Sequence, residues 1–340
     1  MNAEDVWRSD AVAARLMRAL LAPAERAMAG GVAVRNALYD RGALRSRATP
    51  IPAVSIGNLT VGGTGKTPVA AWLAQRLAAG GASPAIVLRG YGGDEPLVHA
   101  VLNPSVTVIV AADRARGVAD AAGRGASVAV LDDAFQHRRV ARDADIVLVA
   151  ADGWSVNRRL LPSGPWREPL EALGRADLAV ITSKAASETE VIAARLAITH
   201  AAPDTPIAFV ALGLGDLFRL GDPGARLPLG GIAGASVLAI AAVGNPDAFF
   251  AQLRQAGAIV NGQSFPDHHR FTHDEIGRLA ARAPAAGMAV CTLKDAVKIA
   301  PLWPADAPAL WYVSQPVRVE SGAEHFERLL DALQARRDAL

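Results

Sequence analysis

Seven short apolar runs mark the first two thirds of the chain: IPAVSIGNL (51–59), PAIVL (84–88), VTVIV (106–110), VAVLDD (128–133), DIVLVA (145–150), DLAVIT (177–182) and PIAFVAL (206–212). Each has strand length and is too uniformly apolar to face water on one side. Helical stretches lie between several of them, the clearest from Lys66 to Ala79. Strands of this kind alternating with helices predict an α/β fold with a mostly parallel sheet covered on both faces. The texture changes at GDPGARLPLGGIAGAS, and a second alternating set follows: VLAIAAVGN (237–245), AIVNGQSF (258–265), GMAVCTL (287–293) and ALWYVS (309–314). Helices are expected after Asn245-Pro246, from about 272, and from 322 to 337 as an amphipathic end piece. The division that follows is 1–48 as a helical segment, 49–215 as the main domain, 216–236 as a linker and 237–340 as a smaller α/β domain. Helical signal covers 11–39, with Pro23 and the Gly30–Gly31 pair as expected breaks.

Composition narrows the class without naming it. Of 340 residues, 51% are apolar and 20% charged, with a net charge of +2, so no general polyanion binding and no nucleic-acid partner is implied. A single cysteine, Cys291, excludes a disulfide framework and reads as a core thiol in MAVCTL. No uninterrupted apolar run is long enough to span a bilayer, and no signal-peptide pattern opens the chain. The N-terminal segment departs from this neutrality. From 11 to 47 it carries seven arginines against Glu25 and Asp40, a balance of +5. Val12, Leu16, Leu20 and Leu21 fall near one helical face with Arg15 and Arg18 beside it, a pattern that suits either a membrane interface or packing on the protein's own body.

VGGTGKTP (61–68) sits between a predicted strand and a predicted helix. A turn of this kind lets backbone N–H groups of Gly62, Gly63, Thr64, Gly65 and Lys66 face phosphate oxygens, with Lys66 on the terminal phosphates and Thr67 offering a hydroxyl to Mg²⁺. Thr60 stands where the common pattern has its first glycine. Asp132 and Asp133 end a strand, where a further Mg²⁺ ligand belongs. A guanine-reading motif is absent: TSKA begins like one, but Ala186 occupies the aspartate position, so ATP is favoured over GTP. Polar clusters elsewhere suit a kinase acting on a hydroxyl. Asp94, Asp267 and His268 are candidates for taking its proton, and Arg89, Arg114, Arg138, Arg139 and Arg167 for holding an anionic acceptor. A kinase for another phosphorylated metabolite and a partner-controlled ATPase both stay open on these residues alone.

In SIGNLTVGGTGKTP, RGYGG, GDEP, LDDAFQHRRVARDADIVLV, LLPSGPWREPL, GNP, FPDHHRFT and TLKDAVKI, taken in order from about residue 35 to 315, the chain resembles the tetraacyldisaccharide 4′-kinases, the lipid A 4′-kinases of Gram-negative bacteria. The resemblance implies a P-loop kinase of two α/β/α lobes. It implies transfer of the γ-phosphoryl of ATP, with Mg²⁺, to the 4′-hydroxyl of a tetraacyl glucosamine disaccharide 1-phosphate, giving lipid IVA. It places that chemistry at the cytoplasmic face of the inner membrane, with the N-terminal helix lying in the interface and no obligate protein partner. It assigns Asp94 and His268 to a catalytic dyad, Asp132 and Asp133 to the metal, and Arg89, Tyr91, Arg114, His137, Arg167 and Glu168 to acceptor or phosphate contacts. It puts TLKDAVKI near the nucleotide base. Two positions depart from the family pattern: RGYGG and GDEP share Gly93, and Ala134 stands where glycine is more usual.

Overall fold

The computed structural model describes residues 6, 7, 9–90, 93–155, 158–220 and 222–339. The chain runs through α1 (Val12–Asp40), β1 (Ala53–Asn58), α2 (Lys66–Ala79), β2 (Pro84–Leu88), α3 (Glu95–Leu102), β3 (Thr107–Val110), α4 (Arg114–Gly123), β4 (Val128–Asp132), β5 (Ala144–Ala150), β6 (Leu178–Ser183), α5 (Glu188–Ala201) and β7 (Ile207–Ala211). It continues through β8 (Leu217–Arg219), β9 (Asp222–Leu227), β10 (Ser236–Ala241), α6 (Pro246–Gln255), β11 (Ile259–Ser264), α7 (His273–Ala286), β12 (Met288–Thr292), α8 (Leu293–Ile299), β13 (Leu310–Val313), β14 (Arg318–Ser321) and α9 (Ala323–Asp338). Contacts divide it into two compact units, Met1–Arg89 with Val106–Val210 and Val319–Leu340, and Gly90–Ser105 with Ala211–Arg318.

The first unit is built on an eight-stranded sheet of order β14-β7-β6-β5-β1-β4-β2-β3. Every residue of β1, β2, β4 and β6 is buried, which is why these strands read as continuous apolar runs. β1 pairs in parallel with both β4 and β5, while the chain leaving β1 passes over β4 to reach β2. That reversal of direction is where open α/β sheets place ligands, outside the carboxyl ends of the strands. The register sets Ile56 of β1 opposite Asp132 of β4, so the end of β4 lies beside the turn that follows β1.

Gly57 makes that juxtaposition possible. A Cβ on it would stand 2.4 Å from Cβ of Phe135 and 2.9 Å from its backbone nitrogen. The turn after Asp132 therefore closes over bare backbone. Gly57→Ala is expected to destabilise the fold by about 3 kcal/mol, because a backbone atom and not a flexible side-chain end has to move. Parallel thermal melts of wild type and variant test this, and unchanged melts would mean the turn shifts freely.

α1 is one continuous helix through Pro23 and Gly30–Gly31, where breaks were expected. All three residues lie on the exposed side. Side chains hold the helix on both sides of them: Glu25 accepts from the Leu160 amide at 2.9 Å, Arg35 donates to the Gln136 carbonyl at 3.0 Å, and Asn36 donates to Glu168 at 2.8 Å. Those anchors offset the local cost of proline, about 3 kcal/mol in a helix interior. Arg18, expected at the border of the apolar face, instead turns inward and donates to the carbonyls of Val6 and Ser9. Val12, Leu16 and Leu20 stay 63%, 61% and 75% exposed.

The second unit carries a six-stranded sheet of order β11-β10-β12-β13-β8-β9, parallel through the first four strands and antiparallel at β13-β8 and β8-β9. The expected linker at 216–236 thus supplies two strands of this sheet. The expected end of the smaller domain also differs: β14 lies next to β7 in the first sheet, and α9 sets Phe326 edge-on to Trp72 of α2 at 5.0 Å. Residues 90–105, expected within 49–215, belong to the second unit, where α3 packs on α8. Cys291 is buried in this unit's core, and burial pushes its thiol well above the ordinary range, so it is a packing residue.

Candidate active site

In the first unit, the chain leaves β1 at Asn58 and turns before α2 starts at Lys66. Gly62 and Gly65 have φ of 112° and 89°, conformations open to glycine at little cost. The turn is pinned from outside. Asn58 donates to the Thr64 hydroxyl at 3.0 Å, Thr182 donates to the Thr64 carbonyl at 2.9 Å, and Lys184 Nζ donates to the Gly63 carbonyl at 2.8 Å. No side chain caps the N-terminus of α2, so its first amides and the positive end of its dipole face whatever lies before it. The residues expected to form a phosphate cradle, Gly62, Gly63, Thr64, Gly65, Lys66 and Thr67, lie together in this hydrogen-bonded turn and the start of α2.

Asp133 stands at the centre of the charges around this turn. Its backbone takes φ of 53°, a conformation that aspartate tolerates better than most residues. Its carboxylate accepts from Arg167 Nη1 at 2.9 and 3.1 Å and lies 3.8 Å from Lys66 Nζ. Burial alone would raise this carboxyl, but Lys66 and then Arg167 outweigh burial and hold it below its ordinary range. Arg167 reaches it because the segment around Trp166 is stitched to the loop: Val61 donates to the Pro165 carbonyl at 2.7 Å, and the Arg167 amide donates to the Leu59 carbonyl at 2.7 Å. Arg114, buried at the start of α4, donates to the carbonyls of Ala111 at 2.6 Å and of Asp132 at 3.1 Å, which fixes the end of β4. Burial, then the charges of Arg114 and Arg89, hold His137 below the ordinary histidine range, so its ring is neutral at pH 7. A cavity of about 260 Å³ opens beside Arg114, His137 and Arg139. Glu168 is buried: its Oε2 accepts from Asn36 and Arg175, both at 2.8 Å, which joins α1 to this loop, while its Oε1 has no hydrogen-bond partner among the described residues.

The second unit holds another cluster. Asp94 precedes α3 in the N-cap position yet makes no capping hydrogen bond. It is 2% exposed, and neither carboxylate oxygen has a hydrogen-bond partner among the described residues. Its Oδ2 faces His268 Nδ1 at 3.4 Å and the ammonium groups of Lys294 and Lys298, each at 3.9 Å. His268 has φ of 59°, and its amide donates to Oδ1 of Asp267 at 3.0 Å. The neighbouring His269 locks the loop by stacking on Phe265 at 4.9 Å and meeting Phe271 edge-on at 5.0 Å. α8 starts from a tight cap: Thr292 accepts from the Asp295 amide at 3.2 Å, while Asp295 Oδ2 accepts from the Thr292 hydroxyl at 2.8 Å and from the Ala242 amide at 3.0 Å. A buried carboxylate that is ringed by cations and has no hydrogen bond among the described residues is poised to accept a proton or a hydrogen bond from a ligand.

The residues expected from sequence fall into these two groups. The loop, Asp132, Asp133, Arg89, Arg114, His137, Arg167 and Glu168 are in the first unit, and Asp94 and His268 meet in the second. Tyr91 lies outside the described residues. TLKDAVKI, expected near the nucleotide base, sets Lys294 and Lys298 against Asp94. Their i, i+4 spacing on a helix was the signal that could have shown two ammonium groups converging on one point.

The chain is similar to known proteins in family, sequence and fold. The family model described as LpxK, tetraacyldisaccharide-1-P 4′-kinase, matches residues 17–94 and 92–335. A tetraacyldisaccharide 4′-kinase of Anaeromyxobacter sp. (strain Fw109-5) is 40% identical over 94% of this chain and 94% of its own length. That of Halorhodospira halophila is 36% identical over 95% of this chain and 94% of its own. Among solved structures, LpxK from Aquifex aeolicus, described as an "apo" form in complex with ATP, superposes with a TM-score of 0.73 at 28% identity, covering 93% of this chain and 99% of that one. On its sheets, its phosphate loop and these matches, the chain is a kinase and belongs to the tetraacyldisaccharide-1-P 4′-kinase family.

Proposed function

We propose that this kinase transfers the γ-phosphoryl of ATP to the 4′-hydroxyl of a tetraacyl glucosamine disaccharide 1-phosphate. The observation that carries the proton-transfer part of this reading is the Asp94 carboxylate, buried and without a hydrogen bond among the described residues. Asp94 takes the hydroxyl proton as the oxygen attacks phosphorus, and His268 orients and supports the carboxylate. Lys66 and the loop amides hold the phosphates and offset the charge that spreads over the transferred group. Arg114, Arg139 and His137, which border the cavity of about 260 Å³, are assigned to the anionic acceptor. The test is transfer of label from ATP to the disaccharide 1-phosphate in detergent micelles. ATP turnover without labelled lipid would reject the reading.

The oxygen donors near the loop are of the kind Mg²⁺ takes, and Asp133 would serve as a ligand only on releasing Arg167. Among the described residues no group of three or more histidine, cysteine or acidic side chains could hold a metal by itself. Thr67, Asp132 and Asp133 offer hard oxygen donors only, and Mg²⁺ characteristically takes one or two carboxylates and fills its shell with water and phosphate oxygens. When bound, it would neutralise phosphate charge.

The acceptor is a lipid, and the exposed face of α1 supplies a means of reaching it at the cytoplasmic face of the inner membrane. Val12, Leu16 and Leu20 recur every four residues and remain open, as does Val34 further along. No helix among the described residues is long and apolar enough to cross a membrane, so the proposed association is interfacial. The double variant Leu16→Glu, Leu20→Glu is expected to weaken binding to anionic vesicles by about a hundredfold or more, since each buried leucine contributes about 1.5–3 kcal/mol. Vesicle co-sedimentation reads this, and unchanged binding would move the contact elsewhere.

A further inference from the structure

The pairing of Asp94 with His268 turns on which ring nitrogen carries the hydrogen, and the second unit holds a group that decides it. A lysine ammonium has three donors and no acceptor. Lys294 Nζ lies 3.2 Å from Nε2 of His268. Nε2 must therefore be the accepting nitrogen, and the neutral ring carries its hydrogen on Nδ1. Nδ1 is the nitrogen that faces Oδ2 of Asp94. The same ammonium donates to Oδ1 of Asp267 at 3.1 Å, the oxygen that also accepts the His268 amide. One side chain thus constrains both the ring and the unfavourable backbone that carries it.

We propose that Lys294 is a positioning residue that fixes the tautomer of His268, with the hydrogen on Nδ1, the ring nitrogen on the Asp94 side. This rests on the proposed role of Asp94 and His268. Its consequence is a division of labour. Nε2 is covered by an ammonium and is closed to an acceptor hydroxyl, so the ring can reach the reaction only through Asp94. His268 lies 3.4 Å from Oδ2 without a hydrogen bond to it, so both carboxylate oxygens stay open to the hydroxyl.

The other charges around the ring are consistent with this division. Lys298, one turn along α8, is held by Asp295 at 3.2 Å and by the His269 carbonyl at 3.4 Å, and it faces Asp94 at 3.9 Å. Asp267 Oδ2 is 3.9 Å from Nε2, beyond hydrogen-bond reach. Lys294 is thus the one group among the described residues within hydrogen-bond distance of Nε2.

The ring nitrogens can be observed directly in the full chain labelled with ¹⁵N-histidine, without ATP or acceptor. Long-range ¹H–¹⁵N spectra are compared with those of His268→Gln, which identifies the signals of this ring among the seven histidines. The wild type is expected to show a pyrrole-type Nδ1 and a pyridine-type Nε2. Lys294→Met should shift the ring toward the Nε2–H form and lower kcat about tenfold or more with KM for ATP unchanged. Lys294→Arg, which keeps a donor, should restore the tautomer and most of kcat. A wild-type ring with its hydrogen on Nε2, a doubly protonated ring, or a tautomer indifferent to Lys294→Met would overturn the proposal. Should Lys294→Met not fold, the wild-type spectrum and Lys294→Arg still decide. The spectrum is independent of catalysis, so a failed kinase assay on the wild type rejects the function and a wrong tautomer rejects only this inference.

Discussion

Asp94→Asn is expected to lower kcat by about 10²–10⁴-fold, the range that a positioned acid or base contributes. Asparagine keeps the shape of aspartate and removes the charge and the basic oxygen, so the loss reports proton transfer and not packing. The helix that follows does not depend on this side chain, because Asp94 makes no capping bond to α3. Its carboxylate is buried without hydrogen bonds and faces two lysines that have other anions to hold them, Asp267 for Lys294 and Asp295 for Lys298. Neutralising it relieves a desolvated charge. The melting temperature should therefore hold or rise while turnover collapses, the opposite of what a structural aspartate gives. Initial rates with labelled ATP and thermal melts on the same preparations test both halves. A loss of less than about tenfold would transfer the role of base to another group.

Much of this site was legible in the sequence because its parts are local. The phosphate loop needs a strand, glycines and Lys-Thr within a few residues, and β1, Gly62, Gly65 and α2 supply them where expected. Asp132 and Asp133 were readable for the same reason, as the polar end of an apolar run. What the sequence hid depends on pairings between distant segments. β14 joins the first sheet from more than a hundred residues beyond its neighbour β7, and nothing in RVES announces it. Nothing in REPL shows that Glu168 is buried against Asn36 of α1 and Arg175. Lys294 and Lys298 sat in a segment assigned to the nucleotide base, and only the packing of α3 on α8 reveals Asp94 as their partner. The continuity of α1 through Pro23 is of the same kind: anchors at Glu25, Arg35 and Asn36 override a local preference.

Lys66→Met should reduce kcat by about 10²–10³-fold, the usual effect of removing one preorganised group that stabilises charge in the transition state. Methionine keeps the unbranched stem and a good helix former at the first position of α2, so the loop backbone has no reason to move. The variant also carries a second, independent signature. Asp133 is held below the ordinary carboxylate range against the opposing effect of burial, first by Lys66 and then by Arg167. A depressed carboxyl contributes stability that is present above its unfolded value and is lost as pH falls through its folded value. Without Lys66 the burial of Asp133 is opposed by fewer charges, so its folded value moves up and its share of the acid-linked stability shrinks. The ATP-free variant should therefore begin to lose stability at a higher pH than wild type when both are acidified. Urea midpoints measured across the acid range would show the shift, and Arg167→Met should displace it in the same direction by a smaller amount. Wild-type acid sensitivity in Lys66→Met would mean that the 3.8 Å approach of Lys66 to Asp133 carries no electrostatic weight, and the lysine's part would then be confined to the bound nucleotide.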